Sequence, residues 1–386
     1  MSLLPKNAFI VSSLSIIKIM TENDLLHTLA LHHVNNIGDI IAKRLINHCG
    51  SAQAVLKEKK QNLIKIDGIG SVILNNLYKK QHLNEAEKEI EFIKNNNIRV
   101  RYFEEENYPE KLKHCIDAPI LLFESGNINL KQSHIISIVG TRKITTNGIV
   151  FCEELVEKLT PYNPIIVSGF AYGTDITAHK AALKNQLQTI ACLAHGFNTI
   201  YPKTHKKYVV DVEKNGGFFT DFWSIDKFDK NNFLKRNRII AGLSEATIVI
   251  ESAQKGGSLV TADIANSYNR DVFAVPGRVS DSQSAGCNNL IKYQKAHILT
   301  TPLDIPYILN WKLEDYTKPA IQKQLFVELD ESEKIIYNYL KENNKQQLDG
   351  IALNCNMPIF KVASMLLNME LKGVLRPLPG KLFELV

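Results

Sequence analysis

One unit recurs three times in this chain and limits its possible folds more than any other feature: a short β-branched apolar run, a loop of glycine, small hydroxyls and charge, then an amphipathic helical stretch. The runs cover 135–139, 165–167 and 247–250, and the loops are Gly140-Thr-Arg142-Lys, Ser168-Gly-Phe-Ala-Tyr-Gly173-Thr-Asp175 and Lys255-Gly-Gly-Ser258. Runs this short and this apolar fit parallel strands buried on both faces. Strand, loop and helix in repetition predict an α/β fold: a Rossmann-like open sheet with helices on both faces. Such sheets bind ligands outside the carboxyl ends of their strands, where backbone N–H groups and helix N-termini favour anions. The three loops together therefore predict a cleft for phosphate groups.

Within these loops particular residues carry the expectation. Arg142, two positions after Gly140, can reach a phosphate with two parallel hydrogen bonds; a salt bridge to a nearby carboxylate is the alternative. Thr141, Thr145 and Thr146 add hydroxyls, and a helix beginning near Gly148 would present N–H groups beside them. Ser168 and Gly169 end the second strand, and Gly173 gives tight backbone that a Cβ would block. Asp175 stands where a helix N-cap belongs and reads as structural. His179 is four residues on, within reach of Asp175 on the same helix face. In the third loop, Gly257 can offer its backbone, while Ser258 and Thr261 can bind phosphate or cap the following helix. Lys203, in a stretch that interleaves Lys206, Lys207 and His205 with Tyr201 and Tyr208, is the best-placed lysine there for a nucleic-acid backbone. Arg236 and Arg238 flank Asn237 on a helix and point about 200° apart, so one can line the cleft while the other anchors the helix or serves a neighbouring subunit.

The order of motifs is specific. It runs Val139-Gly-Thr-Arg142, Ser168-Gly-x-Ala-x-Gly-x-Asp175 with His179, His195-Gly with Tyr201-Pro202, and Arg236-Asn-Arg238-Ile-Ile-Ala-Gly242. It continues through Gly257-Ser-Leu-x-Thr-Ala262, Val275-Pro-Gly277 and Gly286-x-Asn288-x-Leu-Ile291. This resembles the DNA-processing protein A family, and Tyr108-Pro109 with Asp117-x-Pro119 extends the match upstream. The resemblance implies a cytoplasmic single-stranded DNA-binding protein that protects incoming DNA and loads the RecA recombinase onto it in natural transformation. It further implies a homodimer formed through the central domain, and a DNA pocket at the Arg-Asn-Arg motif. The chain departs from the family at Thr174, where isoleucine is usual, and at Gly256, where the first serine of a Ser-Gly-Ser is replaced and one side-chain donor is lost.

At 386 residues, with 45% hydrophobic and 22% charged residues, the composition is that of an ordinary multi-domain globular protein. The net charge of +6 suits nucleic acid as a partner without requiring it. The six cysteines are scattered, with no C-x-x-C and no metal-ligand spacing, so no metal or cofactor is expected and the thiols read as reduced. Ser168 and Ser258 are the candidate nucleophiles, but neither lies in a G-x-S-x-G elbow, and no catalytic residue is assigned. A nucleotide-processing enzyme of the phosphoribohydrolase group is the alternative. It is weakened because no catalytic glutamate follows Lys255-Gly-Gly257.

The expected organisation is an extension over 1–20 without structural role, a helical domain over 21–83, the Rossmann-like domain over 84–310, a linker over 311–325 and a C-terminal domain over 326–386. The apolar stretch before Met20 is too short and too polar to span a membrane. Asn23 or Asp24 is expected to cap the first helix. Asn36-Ile-Gly38 and Ile66-Asp-Gly68-Ile-Gly70 have a helix-hairpin-helix look, either contacting a DNA backbone or simply turning between helices. In the last segment three helices and a two-stranded wing around Pro379-Gly380 predict a winged helix, whose third helix is too poor in cations for sequence-specific DNA reading.

Overall fold

The computed structural model describes residues 20–131, 134–312, 329–378 and 382–385. The chain divides into two compact units, residues 1–313 and 314–386. Most of the expected N-terminal extension and of the linker falls outside the described residues, as does the Pro379-Gly380 turn.

The first unit opens with helices α1 (Glu22–His32), α2 (Asp39–Cys49), α3 (Ala52–Lys57), α4 (Lys60–Leu63), α5 (Ser71–Leu77) and α6 (Gln81–Asn95). Helix α1 is capped by Thr21, whose hydroxyl accepts the Asp24 N–H while the Asp24 carboxylate accepts the Thr21 N–H. The cap thus precedes Asn23 and Asp24, because a threonine with an acid three residues on closes a reciprocal box that neither later residue can form. Gly38 and Gly70 start α2 and α5, and Gly68 takes φ +81 in the second hairpin. Leu29, Leu31, Leu45, Ala86 and Ile90 pack these helices into one core with Ile120, Phe123 and Trp223 of the α/β region.

That region is a nine-stranded sheet of β1 (Arg99–Tyr102), β2 (Leu121–Gly126), β3 (Ile135–Val139), β4 (Ile165–Ser168), β5 (Thr189–Cys192), β6 (Gly216–Thr220), β7 (Ala246–Val249), β8 (Asp271–Ala274) and β9 (His297–Ile298). The order is β1-β2-β6-β5-β4-β3-β7-β8-β9, parallel from β6 to β9 and antiparallel at the β1-β2-β6 edge. Sequence order runs outward from β3 in both directions, so the topological switch point lies between β3 and β7.

Side-chain alternation along the strands builds two cores. Ile136, Ile138, Ile166 and Ile248 pack against α8 (Thr146–Leu159) and α9 (Thr174–Lys184). Ile135, Val139, Val167 and Val249 face the other way, onto α11 (Asn232–Leu243) and α12 (Gly257–Ser267); α7 (Glu110–Lys113) precedes these elements in the chain and α10 (Val209–Lys214) lies between α9 and α11. Pro306 sits inside the short helix Asp304–Ile308, and Trp311 packs into the core of the first unit.

The second unit is a winged helix. Helices Glu331–Asn343, Leu348–Asn354 and Ile359–Leu371 pack through Ile336, Leu340, Ile351, Val362 and Leu366 beside strands Gln346–Gln347, Leu375–Leu378 and Leu382–Leu385. Among the described residues no single helix is long and apolar enough to cross a membrane.

Candidate nucleic-acid interface

The three loops converge at the switch point because the chain removes Cβ atoms where they touch. A Cβ on Gly140 would lie 2.3 Å from the Thr174 hydroxyl, and one on Gly173 2.3 Å from the Thr141 carbonyl oxygen. With both absent, Thr174 N donates to the Thr141 carbonyl at 3.1 Å, and Thr141 N donates to the Glu251 carbonyl at 2.8 Å. The Glu251 carboxylate accepts from the backbone and hydroxyl of Thr145, and Thr145 in turn caps α8 through Gly148 N. Phe170 holds φ +60, unusual for a bulky residue, and its buried ring is enclosed by His179, His205 and Phe218.

A cleft of about 380 Å³ opens between these loops and α11. Gly140, Thr141, Arg142, Arg236, Asn237, Gly257, Ser258 and Thr261 line it together, as do Asp175, Lys230, Phe233, Ser252 and Lys255. Arg142 is exposed, stands 5.1 Å from the Phe233 ring centroid and has no ion pair or side-chain hydrogen bond among the described residues. Arg236 is only 3% exposed. Its guanidinium donates to the carbonyls of Gly169, at 2.7 Å, and Cys192, and to the Asn237 side chain. Carbonyls fix that fork, and among the described residues no carboxylate lies within ion-pair distance of it. Asp175 is nearby, and burial pushes its carboxyl up against the downward pull of Arg236. Helix α12 begins at Gly256 with no side-chain cap, which leaves its first-turn N–H groups at the cleft.

Several residues stand elsewhere or bond otherwise than the sequence suggests. Asp175 is not the N-cap of α9: Gly173 holds that position at φ +76, two residues earlier, and the Asp175 carboxylate accepts from Ala171 N at 3.2 Å. His179 bonds not to Asp175 but to the Thr189 hydroxyl on β5, at 2.7 Å, because its ring turns into the core. Complete burial lowers its pKa to about 3. Ser168 is fully buried and donates to the Ile138 carbonyl at 2.6 Å. The Ser258 hydroxyl bonds Ser252, and that of Thr261 donates to the Gly257 carbonyl; neither caps α12. Gly169 lies beneath the cleft, where a Cβ would meet both Arg236 and Asp175 at 2.6 Å. Lys203 is exposed on the 3-10 turn Lys203–Tyr208, outside the cleft lining. Arg238 points away, to Asp39 at 2.9 Å, to Asp221 and to the Asp117 carbonyl, and so ties α11 to the N-terminal helices.

The sequence reading missed Phe233 and Lys230 as lining residues, and placed Lys255 in the third loop without giving it a role. Phe233 and Arg236 are i,i+3 neighbours on one helix face, which is the signal that finds the phenylalanine once the arginine is placed inward. Lys230 carries no comparable mark.

Comparison with known proteins follows the same division. Residues 99–310 match the model of DNA recombination-mediator protein A, and residues 326–381 match the DprA winged helix domain. Protein Smf of Escherichia coli is 34% identical over 280 residues, covering 71% of this chain and 74% of that protein. The X-ray structure of DNA processing protein A from Streptococcus pneumoniae superposes with a TM-score of 0.63 at 28% identity, covering 76% of this chain and 99% of that one. A structure of DNA processing protein A from Helicobacter pylori, described for its single-stranded DNA binding mode, gives 0.50 at 27% identity, covering 55% and 95%. With its central residues and its C-terminal domain both matched, the chain belongs to the DNA recombination-mediator protein A family.

Proposed function

We propose that this chain binds single-stranded DNA in the switch-point cleft, with little sequence preference, and mediates recombination by protecting incoming strands and passing them to a RecA-type recombinase. In this reading it works in the cytoplasm as a homodimer and performs no chemistry on the DNA. Arg142 and Arg236 neutralise phosphate, the uncapped first turn of α12 supplies backbone donors, and Gly140, Thr141, Asn237, Gly257, Ser258 and Thr261 shape the walls. Lys203 then lies on the path of the strand leaving the cleft.

One observation carries the reading: an exposed arginine without a carboxylate partner, Arg142, lines the same cleft as an uncapped helix N-terminus. Both favour an anion, and neither reads bases. The single-stranded DNA binding described for the Helicobacter pylori relative supports the choice of anion. Fluorescence anisotropy with labelled oligothymidylate, and with a duplex of equal length, tests it. Tighter binding of the single strand, weakening steeply as salt rises, is the expected result; equal affinity for duplex would refute the reading.

A further inference from the structure

Beside the cleft, two loops raise aromatic rings against Phe233. Tyr201 comes from the loop after β5 and Phe228 from the loop between β6 and α11. Ring centroids lie 4.9 Å apart for Tyr201 and Phe228, 5.8 Å for Tyr201 and Phe233, and 5.6 Å for Phe228 and Phe233. Tyr201 remains 37% exposed and Phe228 49%. Phe233 belongs to both groups of residues: it lines the cleft beneath the Arg142 guanidinium and it supports the two outer rings. Lys203, Lys227 and Lys230 are exposed within two residues of these rings in the chain, with Asp226 and Asp229 exposed beside Phe228.

We infer that Tyr201 and Phe228 form a ledge on which unpaired bases stack, so that one strand is held by its phosphates in the cleft and by its bases beside it. This rests on the reading of the cleft as a single-strand site. Open aromatic rings among lysines bind single strands without sequence preference, because every base offers a π-face. A stacked strand carries one phosphate per about 3.4 Å, so rings this near Phe233 lie within about three nucleotides of a phosphate on Arg142. Bases in a duplex are already stacked on each other and have no free face to give. The ledge therefore adds affinity for single strands only, whereas the cleft's cations attract phosphates of either kind. Discrimination against duplex then comes from Tyr201 and Phe228, and raw phosphate affinity from Arg142.

The test measures the full-length protein against oligothymidylate, against an abasic strand with the same number of phosphates, and against duplex. Phe228→Ala and Tyr201→Ala should each weaken oligothymidylate binding about tenfold and leave abasic and duplex binding unchanged. Tyr201→Phe, which keeps the ring, should bind as wild type and serves as the folding control. Arg142→Ala should weaken all three. If the alanine variants at 201 and 228 hold oligothymidylate as wild type does, or lose the abasic strand equally, the ledge is refuted while the cleft stands. If wild type binds neither strand, or Arg142→Ala changes nothing, the cleft reading fails and the ledge falls with it.

Discussion

The two faces of α11 carry the same residue type and put it to opposite uses. Toward the cleft, Arg236 is held by the carbonyls of Gly169 and Cys192, so its position is fixed and its charge remains available. Toward the N-terminal helices, Arg238 lies between Asp39 and Asp221 and is neutralised. Burial pushes the Asp221 carboxyl up, and Arg238 pulls it back down. The ligands of a buried arginine thus decide its function. Carbonyls make a rigid cation for an incoming anion, and carboxylates make a clamp between parts of the fold.

The clamp face should give the largest effect when broken. Arg238→Ala leaves two nearly buried carboxylates without their counter-ion and should cost about 3–5 kcal/mol of stability, read from the urea midpoint. The molecules that remain folded should bind DNA almost as wild type; a variant that loses DNA while keeping its stability would reverse the assignment of the two faces.

On the cleft face, Arg142→Ala should weaken single-strand binding by about 1.5–3 kcal/mol, at least tenfold, with thermal stability nearly unchanged. The side chain is exposed and packs no core. A melting temperature that collapses in this variant would make Arg142 part of the clamp system instead.

A pH series separates stability from binding. His179 is neutral in the fold, with its pKa lowered to about 3, whereas the unfolded chain protonates near 6.5. Its contribution is therefore complete above 6.5 and is lost as pH falls from there toward 3, at about 1.4 kcal/mol per pH unit. Burial lowers the pKa of His195 and His33 as well, which adds slope of the same sign, whereas the raised carboxyls of Glu89, Asp175 and Asp221 oppose it. Guanidinium groups do not titrate in this range, so single-strand affinity of the folded protein should stay flat between about pH 6 and 8. Affinity of the folded protein that titrates between about pH 6 and 8 would contradict the arrangement.

Lys207→Ala should show the smallest effect, under about 1 kcal/mol in binding, since this lysine is exposed on the 3-10 turn and lies over the Tyr208 ring outside the cleft.

What the sequence makes legible follows from distance along the chain. The strand-loop-helix units are local patterns, and they suffice to place the sheet, the loops and Arg142 at a strand end. The opposed directions of Arg236 and Arg238 follow from helix geometry alone. Partners brought together by tertiary packing are another matter. Arg238 meets Asp39 across 199 positions, and His179 turns to Thr189 on a neighbouring strand instead of to Asp175 on its own helix. The i,i+4 rule describes exposed helix surfaces, whereas His179 faces the core. Asp175 likewise reads as a cap by residue type, but the positive φ at Gly173 starts the helix two residues sooner. Lys230 looks like any surface lysine until the fold sets it at the cleft.

The central claim is that Arg142 neutralises a phosphate of a bound single strand. Its most direct test is the salt dependence of oligothymidylate binding for wild type, Arg142→Ala and Lys207→Ala. The plot of log affinity against log salt should be shallower for Arg142→Ala than for wild type by about 0.7, the release expected for one phosphate contact on a single strand, with Lys207→Ala tracking wild type. Identical slopes and affinities in wild type and Arg142→Ala would show that the strand binds elsewhere.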